Sequence, residues 1–340
     1  MTRVLGIEFA PVRVPFHRRL QTLAVLHYVL IFIFFPVLSV FLPIYLVLCT
    51  NYWWIMLLYA GWFVYDRDTP KHGSRPHKWV RQFFLWRHFR DYFPVSLAKT
   101  CDLDPTRNYI FGYHPHGIVS IGAFVNFGTE ATDFGSLFPG LTPHLCTLVG
   151  QFWFPFRREY SMMFGAIEVS KESIQWQLTQ PTKGRAIVIV VGGAAEALDA
   201  RPGSYNVVLS KRRGFVKMAM KHGADLVPVF SFGENDLFIQ IGNPHGSWLR
   251  KLQLSLKEFL GYSPALFHGR GVFNYTFGVL PYRKPINTVV GKPIRVDQCD
   301  HPTHEQVAAM HQKYIDGLVE LFEENKLKYG VSEDTHLVIY

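Results

Sequence analysis

From Leu20 to Tyr65 the chain carries no Asp, Glu, Lys or Arg, a run of 46 residues. No other feature limits the fold so tightly. A helix needs roughly 20 apolar residues to cross a bilayer core of about 30 Å, so this run is long enough to cross twice. It reads TLAVLHYVLIFIFFPVLSVFLPIYLVLC and then NYWWIMLLYAGWFVY, interrupted by Pro36, Pro43 and Asn51. The pattern predicts two helices with a tight turn near Pro43, either as two full spans or as a re-entrant hairpin within one leaflet. Arg13, Arg18 and Arg19 precede the run; Arg67, Lys71, Arg75, Lys78, Arg81, Arg87 and Arg90 follow it. Basic flanks at both ends put both ends on the cytosolic side, which a single span cannot satisfy. The run is too long for a signal peptide and shows no small-residue cleavage site before the next charges. A soluble buried helix pair fits less well, because Phe, Tyr and Trp crowd its far end as they do at a membrane interface.

The whole chain has 340 residues, 49% hydrophobic and only 18% charged, with a mean hydropathy of +0.08. Those values exclude disorder, a coiled coil and a small disulfide scaffold. The net charge of +9 suits an anionic membrane surface or an anionic substrate. No nucleic-acid recognition motif accompanies it, so nucleic acid is not an expected partner. Cys49, Cys101, Cys146 and Cys299 lie far apart without CxxC spacing, which supports neither a metal site nor a disulfide framework. Free thiols suit a domain facing the cytosol.

Five segments follow: a basic N-terminus over 1–19, the membrane hairpin over 20–65, a basic aromatic interfacial linker over 66–108, an α/β domain over 109–330 and a tail over 331–340. In the linker, arginines alternate with aromatics in a way that suits a headgroup layer. In the domain, Tyr109 to Phe111, Ala186 to Val191, Leu226 to Phe232 and Thr288 to Val290 read as strands. Gly214 to His222 and residues 304–327 read as helices between and after them, which argues an α/β sheet domain.

Five places carry residues suited to chemistry. His114-Pro115-His116-Gly117 follows a short strand; Pro115 fixes φ and Gly117 allows a tight turn. A histidine there suits a general base acting on a hydroxyl. The pair could also ligate a metal, but no third ligand stands at useful spacing, and a structural loop is the plain alternative. Val191-Gly192-Gly193-Ala194-Ala195-Glu196 offers backbone N–H groups to an anion, with Glu196 as an acid or as a helix cap. Lys211-Arg212-Arg213-Gly214 sits at a helix start, where phosphates bind, or is a solvated charge run. Arg270 stands between Gly269 and Gly271, and Phe232-Gly233-Glu234-Asn235-Asp236 closes a strand, where α/β proteins place ligands. No GxSxG is present, which argues against a serine hydrolase, and no Rossmann or P-loop motif occurs.

Taken together, Tyr92-Phe93-Pro94, HPHG at 114–117, Pro143-His144, VGGAxEAL at 191–198, Arg213-Gly214-Phe215-Val216, FSFGEND at 230–236, His268-Gly269-Arg270-Gly271 and LPYRKPI with VVGKPI over 280–294 resemble the diacylglycerol acyltransferase 2 family over nearly the whole chain. The short N-terminal extension, with IEFAP and then RRLQTLAVL, is most similar to its monoacylglycerol acyltransferase branch. The resemblance implies a glycerolipid-acyltransferase-like α/β domain facing the cytosol, behind an N-terminal hairpin in the endoplasmic reticulum membrane, with lipid droplets or the perinuclear membrane as further sites. It implies acyl transfer from acyl-CoA, a substrate rather than a cofactor, to monoacylglycerol. Diacylglycerol, wax alcohols and retinol are the sibling acceptors, a homo-oligomer is allowed, and a noncatalytic lipid-droplet protein is the reading from another class. His116, with His114 beside it, is the implied base. Backbone N–H groups near Gly117 or Gly192-Gly193 are the candidate oxyanion donors, and Arg212, Arg213 and Arg270 the candidate cations for the CoA phosphates. Related glycerolipid acyltransferases carry His-x4-Asp, but Val119 and Ile121 stand at those positions here. The acid that orients the histidine is therefore expected to be Glu196 first and Glu234 second, with Asn235 in support.

Overall fold

The uncharged run folds as two helices, α1 over Phe16–Cys49 and α2 over Trp53–Tyr65. The computed structural model describes residues 3, 4, 6–11, 13–242, 246–260 and 265–340. The turn expected near Pro43 lies instead at Thr50–Tyr52, and Pro43 sits inside α1. A proline withholds only one helix hydrogen bond, whereas an open turn inside an apolar run leaves several backbone groups bare. Thr50 closes the helix better: its hydroxyl donates to the Leu46 carbonyl at 2.7 Å and accepts from the Tyr52 N–H at 3.0 Å. Ahead of Pro36, Leu30–Phe34 opens into a π-helical turn, a local widening of the kind that accompanies a missing N–H.

The two halves of α1 differ. Ala24, Val25, Tyr28 and Val29 recur at helical spacing, and all are buried against the rest of the protein. Beyond Val37 the helix surface is mostly apolar and largely exposed, as Phe41 (64%) and Leu48 (76%) show, with the polar Ser39 turned inward. Leu57, Leu58 and Val64 of α2 continue that surface. Side chains of this kind with no protein over them are what a bilayer covers.

A seven-stranded sheet forms the body of the domain. Its strands are β1 (Val95–Lys99), β2 (Tyr109–His114), β3 (Thr142–Thr147), β4 (Ile167–Glu168), β5 (Arg185–Val190), β6 (Asp225–Phe232) and β7 (Ile286–Val290), in the order β1-β7-β6-β2-β5-β3-β4. Only β6 and β7 pair antiparallel. The strand at the centre, β2, is buried at every residue. Its alternate side chains serve two cores, as the two-residue period requires. Ile110 joins the cluster under α5 (Gly214–His222) and α6 (His304–Asn325), with Val216, Tyr314 and Phe322. Phe111 and Tyr113 join Phe127, Phe134 and Phe138 on the other face. The carboxyl ends of β2, β5 and β3 therefore emerge together, and β5 leads through a Gly-Gly turn into the short α4 (Gly193–Ala197).

The segment expected to be an interfacial linker, 66–108, is largely part of this domain. Its helix α3 (Leu85–Tyr92) buries Trp86, Phe89 and Tyr92 against α1, with the Tyr28 and Phe89 rings 5.2 Å apart, and β1 enters the sheet. Eight-residue amphipathic spacing accounts for this: the aromatics share one face of α3 and the basic residues the other. Trp79, Phe83 and Phe84 remain exposed beside Lys78 and Arg87, which keeps an interfacial surface on this segment. The tail is docked too, Val338–Ile339 pairing with Asn206–Val207.

Charge anchors the returning arm of the hairpin. Asp66, at the end of α2, accepts from Arg75 at 2.6 and 2.8 Å and from Arg158 at 3.0 Å. Arg158 also donates to the Asp66 carbonyl and lies over the Phe63 ring. Burial alone would raise the Asp66 carboxyl, but hydrogen bonds from Arg75 and Thr69 and the two guanidinium charges hold it below the usual carboxylate range. Arg158 and Asp66 are both almost fully buried, so removing one strands the other. Asp66→Asn is expected to cost about 3–5 kcal/mol. Thermal unfolding of the detergent-solubilised protein checks this, and an unchanged midpoint contradicts the anchor.

Candidate active site

The two histidines of the HPHG loop have different surroundings. His114 is the last residue of β2 and is wholly buried. Its Nε2 lies 3.1 Å from the Tyr314 hydroxyl of α6, and that hydroxyl donates to the Gly112 carbonyl at 3.0 Å. The Tyr314 hydroxyl occupies the space that a Cβ on residue 112 would need, so only glycine fits there. Burial drives the His114 imidazole down to about 3, which keeps it neutral. Among the described residues its Nδ1 has no hydrogen-bond partner.

His116 lies past the end of the strand, half-buried, in the wall of a cavity of about 480 Å³. Its Nδ1 is 2.9 Å from the Gly117 carbonyl. A carbonyl only accepts, so Nδ1 carries the proton and Nε2 is the ring's acceptor. Burial lowers its affinity for a proton, and the Gly117 bond offsets part of that.

Two buried carboxyls hold the loop. Glu196 of α4 accepts from the His116 backbone N–H and, at 2.7 Å, from the Val208 N–H. It therefore grips the main chain and not the imidazole, a correction to its expected role as the acid on the ring. Glu234 accepts from the Tyr113 hydroxyl at 2.9 Å and from the N–H groups of Ile121 and Gly122 at 2.7 and 2.9 Å. It too reaches no imidazole. Burial pushes each carboxyl up to about 7, against the downward pull of its hydrogen bonds. Gly117 sits at φ +61, and any side chain there would run into Glu234. Asn235 donates to the Ser204 carbonyl at 2.8 Å and does not line the cavity.

Of the expected oxyanion donors, Gly193 lines the cavity, while Gly117 and Gly192 do not. The expected phosphate cations separate. Arg212 donates to the Gly192 carbonyl at 3.2 Å, beside the site, and Arg213 is exposed at the start of α5. Arg270 is buried elsewhere, its guanidinium 4.5 Å from the Tyr275 ring centre. Its neighbour Arg283 bonds to Gln21 at the N-terminal end of α1. Among the described residues no group of three His, Cys, Asp or Glu could hold a metal ion.

The sequence reading missed the far wall of the cavity. Tyr28, Phe32, Ile33, Pro36 and Val37 of α1 line it, so the membrane helix is part of the site. The Tyr28 hydroxyl donates to the Val119 carbonyl at 2.9 Å, and the ring packs on Phe32 and Phe124. A lone tyrosine at helical spacing from Ala24 and Val25 was the available signal. Gln151 and Arg157 also face the cavity and were not singled out.

The profile of the family described as diacylglycerol acyltransferase matches residues 45–340. The chain belongs to that family. It is an acyl-CoA-dependent O-acyltransferase with an α/β domain and a long apolar N-terminal helix. Among its relatives, 2-acylglycerol O-acyltransferase 1 of Bos taurus is 50% identical over 98% of this chain and 99% of its own length. The human 2-acylglycerol O-acyltransferase 1 is 48% identical over 98% and 100%. Human diacylglycerol O-acyltransferase 2 is also 48% identical, over 93% of this chain and 81% of its own. The crystal structure of the 1-acyl-sn-glycerophosphate (LPA) acyltransferase PlsC from Thermotoga maritima covers 89% of this chain and 97% of its own at 12% identity, with a TM-score of 0.39, too distant for any argument to rest on it. Membership in an acyltransferase family also sets aside the noncatalytic lipid-binding reading.

Two outcomes follow from the geometry. Removing the Tyr314 hydroxyl leaves the His114 ring and the Gly112 carbonyl short of a partner in the core, so Tyr314→Phe should lower stability by about 1–3 kcal/mol, read by thermal unfolding. A His116 imidazole that resists protonation stays a base in mild acid. If it serves as the base, kcat/KM should therefore hold level through the ordinary imidazole value of 6.5 and fall only below it. A midpoint at or above that value counts against His116 as the titrating group.

Proposed function

We propose that the enzyme transfers a long-chain acyl group from acyl-CoA to a free hydroxyl of monoacylglycerol, releasing diacylglycerol and CoA. One observation carries the reading: a neutral imidazole, its Nδ1 proton fixed on the Gly117 carbonyl, turns toward an apolar cavity walled in part by a membrane helix. His116 Nε2 takes the proton of the acceptor hydroxyl as its oxygen attacks the thioester carbonyl. The charge that develops on the carbonyl oxygen is stabilised by backbone N–H groups, with Gly193 the candidate nearest the cavity. The tetrahedral species collapses, the C–S bond breaks, and the CoA sulfur leaves with the proton returned by His116. No covalent acyl-enzyme is required.

Glu196 and Glu234 act in this scheme as positioning residues, holding the loop main chain so that the ring stays at the cavity wall. Arg212 and Arg213 are the proposed contacts for CoA phosphates; Arg270, with its separate surroundings, is less well suited. Each buried methylene of the acyl chain contributes about 0.8 kcal/mol, so a long chain is held firmly in such a cavity. The exposed arms of the hairpin, Phe35–Cys49 and Trp53–Tyr65, reach roughly 20–22 Å at 1.5 Å per residue, short of a full bilayer core of about 30 Å. That supports a re-entrant hairpin that enters the endoplasmic reticulum membrane from its cytosolic side and reaches past the midplane, with both termini cytosolic.

Acceptor choice within the family is decided by assay, since human relatives named for either acylglycerol match equally at 48%. Purified enzyme in detergent with labelled oleoyl-CoA is offered 2-monoacylglycerol, diacylglycerol, a long-chain alcohol and retinol. The highest kcat/KM is expected with 2-monoacylglycerol. An equal or better value with any other acceptor contradicts the proposal. His116→Ala is expected to lose at least about 100-fold in activity at unchanged abundance.

A further inference from the structure

We infer that the cavity contains a subsite for a second hydroxyl, built on Gln151, that reads the non-reacting hydroxyl of a polyol acceptor. The inference rests on the acyl transfer proposed above and deepens it.

The local sequence isolates this residue. From Leu148 to Phe156 the chain reads LVGQFWFPF, and Gln151 is the only side chain in it with a hydrogen-bonding carbonyl or hydroxyl. It stands in the 3-10 turn Val149–Phe152 that follows β3, and its side chain lines the same cavity as His116. Among the described residues its Oε1 has no hydrogen-bond partner, and it is closed off from open space, so the amide has to turn for a ligand to reach it. Leu148, Phe154 and Phe164 are among the apolar groups around that cavity. A buried acceptor without a donor is uncommon, because losing water uncompensated is costly. An acyl chain has no donor to offer it, whereas a hydroxyl does.

The placement suits a diol. Strand β5 lies between β2, which leads to His116, and β3, which leads to Gln151. Two strand spacings set the strand ends about 10 Å apart, with His116 two residues beyond one and Gln151 four residues beyond the other. Hydroxyls on carbons one and three are separated by roughly 5 Å, given bonds of about 1.5 Å. A hydrogen bond of about 2.8 Å at either end then fills the gap. In 2-monoacylglycerol one hydroxyl meets His116 Nε2, and the other donates to Gln151 Oε1 once the side-chain amide has turned into the cavity. Diacylglycerol and simple alcohols have no second hydroxyl to donate. A site built to bond a hydroxyl discriminates against the analogue that lacks it, because the site's own polar group is then left bare.

The test compares 2-oleoylglycerol with its deoxy analogue, an oleate ester of propane-1,2-diol that keeps one primary hydroxyl. Wild-type enzyme is expected to favour the diol by at least about tenfold in kcat/KM. Gln151→Met, close in shape but without the acceptor, is expected to lose that preference through a fall with the diol alone. The wild-type ratio needs no variant to fold: equal rates with the two acceptors overturn the subsite. An equal fall for both acceptors in Gln151→Met, or a raised KM for acyl-CoA with the preference intact, assigns Gln151 to folding or to the pantetheine arm and overturns it too. If wild-type enzyme acylates diacylglycerol but neither probe, the acceptor reading itself fails, and the subsite with it.

Discussion

The seating of α1 on the domain is the contact on which the rest of the structure depends. Ala24, Val25, Tyr28 and Val29 face protein, and the next two turns, from Phe32 to Val37, face the cavity. For a helix that emerges into lipid, apolar burial alone gives little preference for protein over acyl chains. Specific contacts have to decide it. The Tyr28 hydroxyl on the Val119 carbonyl is one, fixing the helix to the loop that follows HPHG. The packing of Tyr28 among Phe32, Phe89 and Phe124 is another. Arg158, Asp66 and Arg75 secure the other arm. The membrane element and the candidate site are thus parts of one packed unit, and an apolar substrate in the bilayer lies beside the wall of the cavity it has to enter.

Within the site, carboxyls position backbone and leave the imidazole to a carbonyl. The missing Asp at the fifth position after either histidine has no direct substitute on the ring among the described residues. Instead, Gly117 supplies the acceptor for Nδ1, and Glu196 and Glu234 clamp the N–H groups on either side of it. Both carboxyls are fully enclosed, which raises them to about 7. A carbonyl holds a neutral tautomer but adds no negative charge beside the ring. The ring consequently remains a weak base, in keeping with its burial.

Much of this could be read from the residues. The uncharged run announced the two apolar helices Phe16–Cys49 and Trp53–Tyr65, and Ala186 to Val191 and Leu226 to Phe232 announced central strands that appear as Arg185–Val190 and Asp225–Phe232. Gly214 to His222 forms a helix ending at Gly223, in the left-handed region that glycine accepts readily. The misses have physical causes. Hydropathy reports that a segment avoids water without saying whether lipid or protein covers it, so the docked half of α1 was indistinguishable from the exposed half. Pro43 signalled a turn because it breaks soluble helices, yet within an apolar run the backbone favours staying helical. Trp86, Phe89 and Tyr92 looked interfacial because their one-sided arrangement on α3 is visible only once the helix is drawn. Glu196 does stand beside the histidine loop, but sequence cannot tell an acid that bonds a ring from one that bonds a peptide N–H of the loop. The separation of Arg270 from Arg212 is a matter of long-range topology and leaves no local trace.

The central claim, that the acyl chain lies in a cavity walled by the membrane helix and ending at His116, is most directly tested by photocrosslinking. Wild-type enzyme in detergent is irradiated with an acyl-CoA whose chain carries a diazirine, and labelled peptides are mapped by mass spectrometry. The account predicts labelling within residues 28–37 or on the facing Leu148–Phe164 wall, abolished by excess oleoyl-CoA. Labelling confined to the outer surface of α2, or labelling that oleoyl-CoA does not displace, would contradict it.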